Sequence, residues 1–280
     1  MRREPADVTS SLAKAPVPVP SQRLVRYFTR YSRWYLKRHF HGVRVLPSGM
    51  QRLLESTQVS TASGIVFLNH PSWWDPLVGV LLASRFFAEH THYVPMDAKM
   101  LEHYGFFRRL GFYGVTLGSR GAKEFLTRSL EILSRPQSMI WLTPQGRFVD
   151  VRERPLQVKR GIGHIMSQAK ASFVLPIAVE YAFWNHRLPE ILLHVGDVRW
   201  LPDDGMASES ACCEYAAQSL EKAQDELADA AIRRNEADFD PLMEGRTGTG
   251  GVYGWWERIR PGGHSRKQTT ENTTSMENHS

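Results

Sequence analysis

Cysteine is nearly absent from this sequence: of 280 residues only two are cysteines, and they are neighbours, Cys212 and Cys213. An internal disulfide framework is thereby excluded, and a metal site built on thiolates has no material. Long apolar runs are also lacking. None approaches the roughly 18 residues that read as a membrane span, so no helix is expected to cross a bilayer. The first residues, Met1 to Asp7, are polar with no apolar region behind them, so no signal peptide is read there and the expected location is cytoplasmic. Between Gln22 and Arg44 there is no acidic residue at all. Two further absences concern chemistry. The chain has no G-x-S-x-G elbow to announce an acyl-enzyme nucleophile, and no H-E-x-x-H zinc motif.

Against these absences stand an apolar fraction of 42% and a formal charge of +6. A chain of this length and apolar content builds one large core, so a single domain with tails is expected. The positive balance suits an anionic partner. Much of it lies in the acid-free stretch, where Arg23, Arg26, Arg30, Arg33 and Lys37 recur at intervals of three and four. Leu24, Tyr27, Phe28, Tyr31, Trp34 and Tyr35 fall on the adjacent arc. An aromatic face beside a cationic edge is the pattern of a helix lying in a membrane interface, on anionic lipid. The alternative packs the aromatics on the protein's own core and leaves the arginines solvated. No nucleic-acid-binding module surrounds the stretch, so nucleic acid is not an expected partner. Residues 1–21, with Pro5, Pro16, Pro18 and Pro20, read as an extended disordered arm, and residues 261–280 as a disordered tail. Residues 246–260 hold a second basic aromatic patch, Val252-Tyr253-Gly254-Trp255-Trp256 with Arg258 and Arg260.

The chemistry is placed at Gly64 to Pro76. Ile65 to Leu68 is β-branched and aromatic, too short for a helix, and bounded by Gly64 and Pro71, which predicts a buried strand. Asn69 and His70 then stand at its carboxyl end, where open α/β sheets form their ligand crevices. Asp75, five positions on, is placed to reach back to one imidazole nitrogen, fix the tautomer and leave the other nitrogen as a base. Further strands are predicted over 91–96, 111–117, 138–143, 173–179 and 191–195, the last at an edge. Helices are predicted over 75–89, 98–110, 122–134, 162–171 and 208–234. The alternation implies an α/β fold, a largely parallel sheet flanked by helices.

Asn69-His70 with four residues before Asp75, behind an apolar strand, resembles the first motif of the glycerolipid acyltransferase family, which includes the lysophosphatidic acid acyltransferases. Trp141-Leu142-Thr143-Pro144-Gln145-Gly146-Arg147 is similar to that family's strand followed by Pro-Glu-Gly-Thr-Arg. Phe173-Val174-Leu175-Pro176-Ile177-Ala178 is similar to its last apolar strand. The resemblance spans about residues 64–200 and implies a glycerol-3-phosphate acyltransferase-like fold over 22–245. It implies membrane-associated transfer of a fatty acyl group from a coenzyme A or acyl carrier protein thioester to a lipid hydroxyl, without a further cofactor or metal. His70 is then the general base and Asp75 its partner. Asn69, Arg120, Pro144, Gln145, Gly146, Arg147 and Lys159 are the expected substrate-binding residues, Arg147 and Lys159 on phosphate. Trp73 and Trp74 are candidates for the wall of an acyl groove.

Two departures bear on the acceptor. Where the family carries an arginine near Val115, this chain has Leu117-Gly118-Ser119, with Arg120 displaced by about three positions. The family's glutamate in the third motif is Gln145 here. The acceptor is therefore open between a lysophospholipid, a glycolipid and another lipidic alcohol. Two other classes are weighed: a non-catalytic membrane-binding protein that retains the fold, and a metal hydrolase using His70 and Asp75 with His92, His164 or His194.

Overall fold

The structure, a computed structural model, describes residues 16–57, 61–116, 118–170, 172–201 and 208–246, without the side chains of residues 57, 119 and 120. The expected basic aromatic patch beyond residue 246, the tail, Leu117 and the Arg120 side chain lie outside the described residues.

Alternate residues of one strand explain the architecture. Strand β2 (Ser63–Leu68) is buried along its whole length. Its Val66 and Leu68 enter one apolar cluster with Val78, Leu81, Trp141 and Leu36. Ile65 and Phe67 point the other way, into a cluster with Ile140, Ile162, Ile165 and Leu220. A period of two with both faces covered is what a central parallel strand requires, and it accounts for the unbroken apolar run. On the first face lie α1 (Gln22–His39), α2 (Pro47–Thr57) and α3 (Asp75–Phe86); on the second lie α5 (Ser119–Leu133), α6 (Arg160–Gln168) and α7 (Glu209–Ile232). A short α4 (Ala98–His103) sits at one end, beside β4.

The other strands are β1 (Gly42–Val45), β3 (Thr91–Asp97), β4 (Phe112–Val115), β5 (Ser138–Leu142), β6 (Ser172–Ala182), β7 (Glu190–Val195), β8 (Arg199–Trp200) and β9 (Asp240–Glu244). They form one sheet in the order β4-β3-β5-β2-β6-β7-β1-β9, with β8 pairing β6. From β4 to β6 all pairings are parallel. The β6–β7 and β1–β9 pairs are antiparallel, and β1 runs parallel to β7. The result is a single α/β domain with a mixed, mostly parallel sheet. No helix among the described residues is long and apolar enough to cross a membrane.

Several expectations are corrected. Strand β7 is interior, between β6 and β1, because β1 pairs along its far side. The helix expected over 98–110 breaks at Gly105 into α4 and a 3₁₀ turn, Gly105–Leu110, closed by Gly111 at φ +100°. Of the expected arm, residues 1–15 lie outside the described residues, and the remainder is extended but packs on the domain: Val17 is buried in the second cluster, and the Ser21 N–H donates to Arg109 O at 2.7 Å. The weakly amphipathic α7 does pack on the sheet, through a stripe at Cys212, Ala216, Leu220, Ala223, Leu227 and Ala230. Small side chains there let α7 approach α6 closely, which is why the stripe is faint in the sequence. Gly163 faces Cys213 across that contact.

Candidate active site

Parallel pairing of β2 with β5 brings their carboxyl ends side by side, so the loops after Leu68 and Leu142 meet at one edge of the sheet. Backbone and side chain lace them together. The His70 N–H donates to Gln145 Oε1 at 3.1 Å, and the Val149 N–H donates to the His70 carbonyl at 3.0 Å. Asn69, 1% exposed, spans to β6: its Oδ1 accepts the Val179 N–H at 2.7 Å and its Nδ2 donates to Val179 O at 2.9 Å. Both ends of the amide are thus used inside the protein, and the expected substrate contact from Asn69 gives way to a clamp on the base-bearing loop. Gln145 is buried as well and holds the same loop.

Asp75 opens α3, where the helix dipole favours a carboxylate. Its Oδ2 lies 2.6 Å from His70 Nδ1 and accepts the Ser72 N–H at 3.1 Å. Its Oδ1 accepts the Tyr181 hydroxyl at 2.6 Å. The carboxylate is 2% exposed, so these three donors replace water around it. Burial, then the Asp75 charge, pushes the Tyr181 phenol up, which keeps it protonated and donating. With Nδ1 committed, Nε2 of His70 is left without a partner among the described residues. The imidazole side chain is 21% exposed, and Phe148 covers it at a ring distance of 4.2 Å. Trp73, 74% exposed, extends that aromatic cover, whereas Trp74 turns inward against Phe40 and Tyr181. Tyr181 is invisible as a site residue in the sequence, since only the β2–β6 pairing carries it to Asp75.

His70 and Asp75 line a cavity of about 470 Å³. Its walls include Leu68, Val80, Ala83, Val94, Phe112 and Trp141, and its rim includes Arg26, Arg30 and Arg33 of α1. His92 also faces it, with both nitrogens engaged: Nε2 lies 2.9 Å from Phe87 O, and Nδ1 accepts the Trp141 indole N–H at 3.1 Å. That pattern fixes the Nε2–H tautomer, and burial lowers its pKa to about 4.

Of the third motif, Trp141, Leu142 and Thr143 line the cavity, whereas Pro144 to Arg147 do not. Gly146 adopts φ +65° and supports Lys159, whose Cγ stands 3.2 Å from where a Cβ would be. Pro144 is buried, its carbonyl accepting the Lys159 N–H at 2.7 Å. Arg147, expected on phosphate, pairs with Glu153 at 2.5 Å on the surface. Neither Arg147 nor Lys159 lines the His70 cavity. The cations that do come from α1, whose stripe reads in the sequence as a membrane edge or a solvated one.

A second histidine-carboxylate cluster joins His41, His186, Glu190 and Glu236. His41 and His186 stack face to face, 3.5 Å apart and 13° from parallel, so their in-plane lone pairs run side by side and do not converge on one ion. Arg44 sits among them, 3.2 Å from Glu190 and 2.6 Å from Glu236, and supplies the cation. Of the other histidines weighed as metal ligands, His164 pairs with Glu209 and His194 with Glu226.

A comparison with curated proteins returns no match. The model of the family described as Acyltransferase matches residues 38–180, about half of the chain, from the end of α1 to one residue short of Tyr181. The match takes in β2, His70, Asp75, the Gln145 loop and most of β6, and the chain belongs to the Acyltransferase family.

Proposed function

We propose that the protein is an O-acyltransferase that moves a fatty acyl group from a thioester, carried by coenzyme A or acyl carrier protein, to a lipid hydroxyl. Family membership supports acyl transfer as the class of activity. The observation that carries the finer reading is the 2.6 Å His70–Asp75 contact, with Nε2 unpartnered among the described residues at an apolar cavity.

In this reading Nε2 of His70 takes the proton of the acceptor hydroxyl as its oxygen attacks the thioester carbonyl. The C–S bond then breaks, the acyl carbon keeps its new C–O bond, and the proton on Nε2 passes to the leaving thiolate. Products are an ester and a free thiol. Imidazole titrates near neutrality, and a base so positioned contributes roughly 10² to 10⁴-fold. Asp75 holds Nδ1–H and offsets the imidazolium charge, while Tyr181 and the Ser72 N–H hold Asp75. The acyl chain lies along the walls formed by Val80, Ala83, Val94 and Phe112.

Peripheral association with the inner face of an anionic membrane belongs to the same proposal. Tyr27, Tyr31 and Trp34 stand exposed on α1, at 69%, 41% and 57%. Such rings suit headgroup depth. Replacing all three by Ser abolishes sedimentation with anionic vesicles if α1 docks; unchanged sedimentation would end the docking idea.

The activity is tested by lipid mass spectrometry of cells expressing wild type or His70→Ala at equal abundance. A lipid heavier by one acyl group, present only with wild type, identifies the transfer and its acceptor. Identical profiles would favour a non-catalytic membrane protein.

A further inference from the structure

Arg26, Arg30 and Arg33 recur at i, i+4 and i+7, so one side of α1 carries three guanidiniums in a row. The three side chains are exposed and flank the face of α1 that packs inward through Val25, Phe28 and Leu36. Helix α1 packs against α3, the helix that begins at Asp75, and all three arginines line the cavity that His70 and Asp75 line. None of the three makes a hydrogen bond or ion pair with any described residue, and α1 contains no acid. Among the described residues the only carboxylate in the lining is Asp75, and both of its oxygens are taken by His70, Ser72 and Tyr181. Three positive charges at the mouth of an apolar cavity are therefore left for something from outside. Arg147, by contrast, is neutralised by Glu153 and lies away from the cavity.

We infer that Arg26, Arg30 and Arg33 form the phosphate-binding subsite of this enzyme, gripping a phosphorylated substrate whose apolar chain enters the cavity beside His70. Guanidinium forks match phosphate oxygens two at a time, and a low-dielectric wall beside them strengthens the contact. The three residues precede the segment that matches the family, so family membership does not assign them. Describing the ligand as a substrate rests on the acyl-transfer reading; the site itself does not. The phosphate can belong to the acceptor's head group or to the acyl donor's carrier.

Binding separates these points from catalysis. The probe is n-decyl phosphate below its critical micelle concentration, with n-decyl glucoside as the neutral control, titrated calorimetrically into the full chain. Wild type and His70→Ala are expected to bind decyl phosphate alike. The R26Q/R30Q/R33Q triple is expected to lose about tenfold or more, as charge-assisted hydrogen bonds are removed. Decyl glucoside should bind all variants equally. A triple lysine variant, which keeps charge but not the fork, should recover part of the loss and so excludes a folding defect. Displacement of decyl phosphate by coenzyme A assigns the subsite to the donor, and no displacement assigns it to the acceptor. Equal affinity of the glutamine triple and wild type for decyl phosphate overturns the inference, even if the triple has lost binding to anionic vesicles. Absence of acyl transfer by wild type, with the arginine-dependent binding intact, would instead overturn only the enzymatic reading.

Discussion

Two clusters in this fold pair histidines with buried carboxylates, and they differ in where an unpartnered nitrogen lies: His41 Nδ1 is buried away from the cavity, whereas His70 lines it. At the β1–β7 side, Glu190 is wholly buried and Arg44 answers it, while Glu236 is shared between Arg44 and His186. The imidazoles stack on each other. At the β2–β5 edge, Asp75 is held from three directions, yet the histidine it holds keeps one nitrogen unpartnered among the described residues, facing a cavity. Burial of charge is common to both. A valence left unused at an apolar cavity belongs to the second alone, and it separates a structural ion network from a site able to do chemistry.

Substitutions that break one cluster and spare the other sharpen this contrast. Asp75→Asn keeps the size of the side chain but removes the acceptor that fixes the His70 tautomer. Its kcat/KM for acyl transfer is expected to fall by about 10³ to 10⁴-fold, with the melting profile little changed. Arg44→Met should do the reverse. It leaves Glu190 buried without its cation, and chemical denaturation is expected to show a loss of about 3 to 5 kcal/mol. Turnover per folded molecule should be unchanged. A large fall in specific activity with normal stability would show that the network belongs to the site after all.

Tyr181→Phe tests the finer structure of the Asp75 contact. One charge-assisted hydrogen bond is removed, so kcat/KM should drop by about tenfold. Without that donor, more of the Asp75 charge bears on the imidazolium, and the acidic limb of the kcat/KM profile should move to higher pH. A purely structural tyrosine would leave the profile in place. The smallest effect belongs to His92, which lines the same cavity but is fully bonded. Burial depresses its pKa to about 4, below the 6.5 of the unfolded chain. Its contribution is therefore whole above about pH 6.5 and is lost as the pH falls toward 4. Between pH 7 and 5, wild type should lose about 1 to 2 kcal/mol more stability than His92→Gln, measured by urea unfolding at the two pH values. Equal losses would contradict this neutral, bonded state.

Much of the fold and the centre of the site are legible in the sequence because local signals agree. Ile65 to Leu68 can only be a strand buried on both faces, and the residues after such a strand stand at the carboxyl edge of the sheet. The features that sequence reasoning misses depend on long-range pairing. Strand β1 is four residues with Arg44 inside it, and its burial makes sense only once Glu190 and Glu236 are seen around the guanidinium. Without β1, β7 looks like an edge. Asn69 and Gln145 carry groups that suit a ligand, and no local pattern shows that Val179 and the His70 backbone use them first. The α1 stripe reads correctly as a stripe and incompletely as a surface: periodicity tells which residues share a side, and packing on α3 sets that side at the cavity rim.

The most direct test of the central claim is a thiol-release assay on purified protein, with a long-chain acyl-coenzyme A and extracted membrane lipid as acceptor. Wild type is expected to release one thiol for each lipid ester formed, and His70→Ala to bind the same vesicles but release thiol at the uncatalysed rate. Equal thiol release and ester formation by the two proteins would contradict the assignment of His70 as the base.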